Sequence, residues 1–321
     1  EVHEGAVLTR VMKSHLRVGT FEFARQFGTK EDLKALTDYT INRLYPEIKE
    51  DKKVVESFYL KVIHDQIDLI CHWMRVGFIH GVMNTDNTSI SSETFDYGPC
   101  AFMNQYHPGT VYSSIDRNSR YAFGNQPHIL KWNMVRLAET LLPLLDENSD
   151  KAIEIAQGLI DQFDIIWNAK YKIMMLSKLG LSDEANNNFI IAEELLDLMH
   201  KHQLDYTNTF AALSYDIEFE ISPFSHPEMQ IWLEKWKTAV EKSTLSLGET
   251  KEIMKQNNPV FIPRNHLVEE ALNYGVNGNM SYFMHFLEVL KTPYSFKKEH
   301  YKYLLPPETG FESDYQTFCG T

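Results

Sequence analysis

The residues from His80 to Gly98 read HGVMNTDNTSISSETFDYG and include several oxygen donors. Asn87 lies seven positions after His80, and Asp96 opens an Asp-Tyr-Gly triplet. Mg²⁺ prefers hard oxygen ligands, and an amide with a carboxylate meets that preference when phosphate oxygens and water complete the shell. The spacing therefore predicts that Asn87 and Asp96 hold a divalent metal ion. The alternative is that these residues only form turns, a common role of Asp and Asn in polar loops.

The same order of residues, after a long helix, is that of the catalytic segment of protein kinases. There, H-R-D-x-x-x-x-N followed by D-F-G places the metal ions that bridge the nucleotide phosphates. The position of the kinase base, two residues after His80, is occupied by Val82, which cannot accept a proton. Ordinary transfer of a γ-phosphoryl group is therefore in doubt. Asp86 is the nearest carboxylate that could accept the proton instead.

Helices are predicted on both sides of this polar segment. Apolar residues recur every three or four positions over 52–76, and Gly77 would end that helix. Residues 78–121 predict loops and short hairpins, with β-prone runs TSIS, TFDY and TVYSSI. Helix is predicted again from Gln126, with a stop at Gly180, an N-cap at Ser182 and shorter helices over 228–242, 246–257 and 264–275. The predicted fold class is mainly α with a small β-hairpin insert.

The composition limits the classes of protein that are possible. With 321 residues, of which 43% are apolar and 23% charged, the chain is typical of a soluble globular protein of one or two domains. The net charge of −13 disfavours a nucleic-acid-binding surface, and there is no run of 18 apolar residues to predict a membrane span. Because no H-E-x-x-H motif is present, the histidines, His200 and His202 among them, are interpreted as surface residues.

Several longer motifs together resemble the selenoprotein O family, also called YdiU. They are TRVMKSHLRVGTFEF (9–23), HGVMNTDNTSIS (80–91), FDYGPCAFM (95–103), NPVFIPRNHLVEEAL (258–272) and a C-terminal CGT. The resemblance implies a protein-kinase-like C-terminal lobe over 1–145, which carries the catalytic segment 80–98, and a helical extension over 146–321. It also implies transfer of AMP, or of UMP, from a nucleoside triphosphate such as ATP to Ser, Thr or Tyr hydroxyls of protein substrates.

The resemblance assigns roles to individual residues. Asp86 corresponds to the proton acceptor, and Asn87 and Asp96 correspond to the ligands of Mg²⁺ or Mn²⁺. Asp96 also corresponds to a nucleotide-binding residue. Arg10 and Arg17 correspond to two arginines that contact the triphosphate. Their seven-residue spacing would place both on one face of a helix, where guanidinium groups suit phosphate oxygens. Without the resemblance, two solvated surface arginines would be the simpler interpretation.

Two nucleotide-binding features of the family are absent from this sequence. The family's glycine-rich loop and strand lysine lie in an N-terminal lobe, and no G-x-G-x-x-G or V-A-I-K string occurs here. We therefore expect the chain to be the C-terminal portion of such an enzyme and to be weakly active alone.

Cys100 and Cys319 match two positions that form a disulfide in bacterial relatives, which implies redox control of the site; the alternative is two unrelated thiols. Cys71 is expected to be a small buried or half-buried helix residue.

Two other functions remain open from the sequence. One is a nucleotide-binding pseudokinase that keeps the frame without catalysis, and the other is an atypical kinase that transfers the γ-phosphoryl group. For the selenoprotein O reading we expect an intracellular location, cytoplasmic in a bacterium and mitochondrial in a eukaryote.

Overall fold

The structure is a computed structural model, and it describes residues 7–182, 188–215, 217, 219–220 and 222–318. Helices dominate these residues, and a two-stranded sheet and four 3₁₀ segments complete the regular structure. The helices are α1 Val18–Phe27, α2 Lys30–Leu44, α3 Val54–Val76, α4 Gln126–Leu145, α5 Ser149–Ile160, α6 Gln162–Leu179, α7 Phe189–Lys201, α8 Tyr206–Ser214, α9 Pro227–Glu241, α10 Leu247–Asn257, α11 Asn265–Val276, α12 Ser281–Leu290 and α13 Phe311–Asp314. The strands are β1 Phe78–Ile79 and β2 Ala101–Phe102, and the 3₁₀ segments are Pro46–Ile48, Thr85–Asn87, Phe123–Asn125 and Lys298–Leu304.

The chain divides into two compact units, each assembled from separated stretches. The first unit takes the described residues of Glu1–Leu69, Met83–Asp96 and Leu130–Phe163, and the second takes those of Ile70–Val82, Tyr97–Ile129 and Asp164–Thr321. The predicted domain boundary after residue 145 stays a prediction. None of the described helices is both long and apolar enough to cross a membrane.

In the first unit, α1, α2 and α3 bury one apolar stripe each. Phe21 of α1 and Phe58 of α3 are fully buried, and their ring centroids lie 6.0 Å apart. Helix α2 begins with a capping box, since the side chains of Thr29 and Asp32 each accept a hydrogen bond from the other's backbone N–H. Burying a side chain as large as Phe typically contributes about 1.5–3 kcal/mol, so this core fixes the helices that carry the site.

In the second unit, the short sheet and a set of packed helices form the frame. Phe78 pairs with Phe102 and Ile79 pairs with Ala101 in an antiparallel register. Gly77 has a φ of +73°, which allows the chain to leave α3 and enter β1 directly. Trp232 and Trp236 of α9 are buried, as their spacing predicts, and each indole N–H donates to a backbone carbonyl.

Most predicted helices are confirmed, but two local predictions are wrong. Ser182 is not the N-cap of α7, which begins at Phe189 after Asn188. The side chain of Asn188 donates to the backbone carbonyl of Ser182 at 2.6 Å. The runs TSIS, TFDY and TVYSSI form no ladder of strands, because their backbone groups bond mainly in local turns and isolated bridges.

Candidate functional site

The five side chains predicted to bind nucleotide, metal or proton all lie in the first unit. Two of them, Asp86 and Asn87, belong to a 3₁₀ turn over Thr85–Asn87. Asn84 caps this turn, since its side-chain oxygen accepts a hydrogen bond from the Asn87 N–H at 3.1 Å. The closed turn leaves Asp86 exposed to solvent and Asn87 half-buried.

Buried amide side chains hold this turn in place from the core. Asn133 of α4 is fully buried and donates to the carbonyl of Met83 at 3.0 Å and to the hydroxyl of Thr88 at 2.8 Å. Gln66 of α3, also buried, donates to the carbonyl of Ser89. Sequence reasoning missed both amides. The signal available was a polar residue at a core-facing position of an apolar helix pattern, which usually means a specific hydrogen bond.

The chain that enters α1 runs alongside the turn in an extended conformation. The Ile90 N–H donates to the Leu16 carbonyl at 2.8 Å, and the Val18 N–H donates to the Thr88 carbonyl at 3.0 Å. Between them, Arg17 and Ser89 form an isolated antiparallel bridge.

The expectation that Arg10 and Arg17 share a helical face is therefore wrong. Residues 7–16 contain no helix, and Arg17 is the N-cap of α1 with φ −124° and ψ 164°. Around Arg17, the backbone of Leu16 and Val18 bonds across to residues 88–90, some seventy positions away, so a local periodicity could not reveal this pairing.

The same pairing brings the first turn of α1 against Asp86. A Cβ atom added to Gly19 would lie 3.2 Å from the Asp86 Cγ and far inside contact distance of its Oδ1. Only glycine therefore allows this approach. Unsatisfied backbone N–H groups and the positive end of the helix macrodipole lie at the first turn of a helix, and both favour a carboxylate there.

Both arginines nevertheless converge on the residues that lead into the Asp-Tyr-Gly triplet. The Arg10 guanidinium lies 3.9 Å from the Asp96 carboxylate, and each side chain is about one third exposed (39% and 30%). The Arg17 guanidinium carbon lies 4.8 Å from the ring centroid of the buried Phe95. Asp96 itself has a φ of +59°, a left-handed conformation that redirects the chain at this residue.

The two residues predicted to bind the metal have side chains that suit a hard divalent cation. Asp96 offers a carboxylate and Asn87 an amide oxygen, the ligand types that Mg²⁺ and Mn²⁺ take in proteins. The ion pair between Arg10 and Asp96 is partly exposed, and such pairs contribute about 0–1 kcal/mol. A cation or a phosphate could therefore replace this contact at little cost.

Val82, at the position predicted to correspond to the kinase base, is buried, and its side chain cannot accept a proton. His80 is also buried, its ring centroid lies 5.1 Å from that of Trp73, and its backbone N–H donates to the side chain of Gln126. His80 thus has a packing role within the second unit.

The predicted cysteine pair is only half described. Cys100 is half-buried, whereas Cys319 lies outside the described residues, so their pairing stays a prediction. Thr317, two residues earlier, donates from its hydroxyl to the Pro99 carbonyl at 2.7 Å and pairs with Ser113 in a parallel bridge. The tail therefore reaches the neighbour of Cys100. Cys71 is a buried residue of α3, as expected.

Sequence reasoning also left Arg264 and Asn265 without a role. The Asn265 side chain accepts from the Phe102 N–H at 3.1 Å and donates to the Phe102 carbonyl at 2.9 Å. Arg264 is 1% exposed and donates to the side chains of Asn104, Asp205 and Asn208 at 2.6–2.9 Å. Together they fix the backbone that follows the Asp-Tyr-Gly triplet. The sequence signal that could have indicated these roles was an Arg-Asn pair between Pro263 and an apolar helix pattern.

Comparison with known proteins gives consistent matches along the chain. The family model described as "Protein adenylyltransferase SelO" matches residues 1–291. Proteins named "Protein nucleotidyltransferase YdiU" are 46% identical in Bacillus mycoides (strain KBAB4), 48% identical in Geobacillus kaustophilus (strain HTA426) and 46% identical in Clostridium perfringens (strain 13 / Type A). Each alignment covers 99% of this chain but only 65–66% of the relative.

Proposed function

Because the chain belongs to the protein adenylyltransferase SelO family, we propose that it supplies the metal-binding and proton-accepting part of a protein nucleotidyltransferase. The proposed reaction transfers AMP from ATP to a Ser, Thr or Tyr hydroxyl of a protein. The family membership supports nucleotidyl transfer, and the proposal extends it to AMP and to these acceptors. The proposal also includes a protein-kinase-like C-terminal lobe, which the helical fold and the order of the catalytic segment support.

The observation that carries the proposal is the placement of Asp86 at the first turn of α1, next to Asn87. In the proposed mechanism, Asp86 accepts the proton of the attacking hydroxyl. In protein kinases this role belongs to the base whose position is occupied here by Val82. Since a solvent-exposed carboxylate is a weak base, most of the rate would come from positioning and from charge stabilisation.

The other residues would act on the nucleotide. Asn87 and Asp96 would hold Mg²⁺ or Mn²⁺, which when bound neutralises charge on the phosphates. Arg10 and Arg17 would contact the triphosphate, and their position beside Phe95 and Asp96 supports this role. Release of Arg10 from Asp96 would accompany binding, because metal and phosphate would then take the two partners.

The test uses the chain together with the family's N-terminal lobe, ATP labelled on either the α- or the γ-phosphate, Mg²⁺ or Mn²⁺, and a mixture of acceptor proteins. Label in protein from the α-position alone supports AMP transfer, whereas label from the γ-position alone would support an atypical kinase. Asp86→Asn should bind ATP as the wild type does but lose transfer, and Asp96→Asn should lose metal-dependent ATP binding. Asp51→Asn, an exposed loop residue, serves as the matched control.

A nucleotide-binding pseudokinase is the second candidate, and the buried Val82 at the kinase base position favours it. This function predicts metal-dependent ATP binding without label transfer from either phosphate.

For the nucleotidyltransferase, normal α-label transfer by Asp86→Asn would remove Asp86 as the proton acceptor but would leave the metal assignment intact.

A further inference from the structure

A cluster of two imidazoles and one carboxylate lies in the second unit, at the junction of two helices. His202 follows the last turn of α7, His226 is the N-cap of α9, and Glu228 lies in the first turn of α9. One ligand atom from each residue lies within 4.8 Å of the other two. The sequence interpretation treated His202 as a surface residue because no H-E-x-x-H motif is present, and His226 and Glu228 are more than twenty positions away.

The distances between the possible ligand atoms bracket those of a small tetrahedral metal site. His202 Nε2 lies 2.7 Å from Glu228 Oε2, and His226 Nδ1 lies 4.0 Å from the same oxygen. In a tetrahedral zinc site with bonds of about 2.0–2.1 Å, neighbouring ligand atoms lie about 3.3 Å apart. Changes of about 1.5 Å or less in each separation would therefore close the three groups around one ion.

We propose that His202, His226 and Glu228 form a binding site for a borderline divalent cation of the zinc type. Imidazole nitrogen suits Zn²⁺, Co²⁺, Ni²⁺ and Cu²⁺, whereas Mg²⁺ takes oxygen ligands almost alone. Three protein ligands leave a fourth position for water. The site thus prefers a different metal from the one proposed at Asn87 and Asp96, and it does not depend on the proposed activity.

The charge and hydrogen bonding of Glu228 suit this role. Lys201 donates to both carboxylate oxygens, at 2.7 and 2.8 Å, and so holds the Glu228 carboxylate in place. A metal site requires the ionised carboxylate. Since a carboxylate offers about four acceptor positions, Oε2 can bind the metal while Oε1 keeps Lys201.

The imidazoles also present suitable nitrogen atoms. The backbone N–H of Glu228 donates to the lone pair of His226 Nδ1 at 3.2 Å, and a metal ion bound to this nitrogen would take the place of that hydrogen bond. The ring centroids of His202 and His226 lie only 3.9 Å apart. The two rings therefore lie close enough together to approach one ion.

Two packed helices support the cluster. Trp232 of α9 donates from its indole N–H to the Ile191 carbonyl of α7 at 2.9 Å, and Lys235 of α9 pairs with Glu194 of α7 at 2.9 Å. Ligands on packed helices are held more precisely than ligands on loops. A bound ion would therefore join the end of α7 to the start of α9 with little rearrangement of the backbone.

The test is a calorimetric titration of Zn²⁺ into metal-free protein in excess Mg²⁺, which occupies oxygen-rich sites. We expect one zinc per chain to be bound by the wild type at this cluster, and at least tenfold weaker binding in His202→Ala and in His226→Ala. His128→Ala is the matched control, because His128 is exposed on α4 away from any such group, and it should bind as the wild type does. Asp96→Asn should likewise keep the zinc site.

Wild-type affinity in both cluster variants would overturn the proposal and leave a simple hydrogen bond between His202 and Glu228. A second measurement needs no substitution. In the nuclear magnetic resonance spectrum of the thirteen histidines, Zn²⁺ should shift the imidazole signals of His202 and His226, and Co²⁺ should broaden them. Unchanged signals from both residues would refute the site even if a variant failed to fold.

Discussion

Replacement of Gly19 by alanine should separate stability from catalysis. The added methyl group would lie 3.2 Å from the Asp86 Cγ and much closer to its Oδ1, so the carboxylate must move by about 1 Å to regain ordinary contact. A displacement of this size at a reacting group can lower a rate about 10²-fold. If Asp86 accepts the proton, nucleotidyl transfer by Gly19→Ala should fall by about that factor.

The free energy of unfolding of Gly19→Ala should rise slightly or stay the same, although the transfer rate falls. Alanine in place of glycine within a helix typically stabilises by about 0.5–1 kcal/mol, and Asp86 is exposed, so its side chain can move without opening the core. We therefore expect Gly19→Ala to unfold in denaturant at the wild-type midpoint or slightly above it. A merely structural role for Gly19 would instead lower the midpoint and the rate together.

The assay combines urea unfolding with single-turnover transfer from α-labelled ATP over a range of ATP concentrations. The rate of the chemical step should fall while the ATP concentration at half-saturation stays within about twofold, because the arginines and metal ligands are untouched. Gly158→Ala in α5 is the matched control, since an added Cβ there meets nothing within 4 Å. Transfer by Gly19→Ala at the wild-type rate would refute the reasoning that this contact positions the base.

Two further predictions concern buried charges in the second unit. Arg264→Met should destabilise the fold by about 3–5 kcal/mol, because it leaves Asp205 without its buried partner; a loss below 1 kcal/mol in urea unfolding would contradict this. Burial lowers the pKa of Lys178 well below its ordinary 10.5, so the unfolded chain binds more protons in the interval between the two values and stability rises with pH there. Lys178→Met should flatten that rise in unfolding experiments at several pH values, and an equal slope in both proteins would show that Lys178 is not its source.

Local patterns were sufficient for the helices and for part of the core. The apolar repeat over 52–76 predicts α3, and the spacing of Trp232 and Trp236 predicts their burial. These predictions succeed because a helix buries one stripe whose period is visible in a short stretch of sequence. The Asn84 cap of the turn that carries Asp86 is equally local, since donor and acceptor are three residues apart.

Features that depend on distant partners were missed or misjudged. Arg10 and Arg17 were expected on one helix, yet residues 7–16 contain no helix and the backbone around Arg17 pairs with residues 88–90. The cluster of His202, His226 and Glu228 arises only when α7 packs on α9. No periodicity records such pairings, because the hydrogen bonds join residues whose separation follows from the tertiary fold.

The side chain of Asn265 imitates one more strand of the sheet. Its amide group presents a donor and an acceptor in the spacing of a peptide unit, and both are used by Phe102. The outer edge of β2 therefore offers no unpaired backbone group at Phe102 to a strand from another molecule, which protects a two-residue strand from edge-to-edge aggregation. Aspartate at position 265 could accept but not donate, so a change of a single atom type would uncover half of that edge.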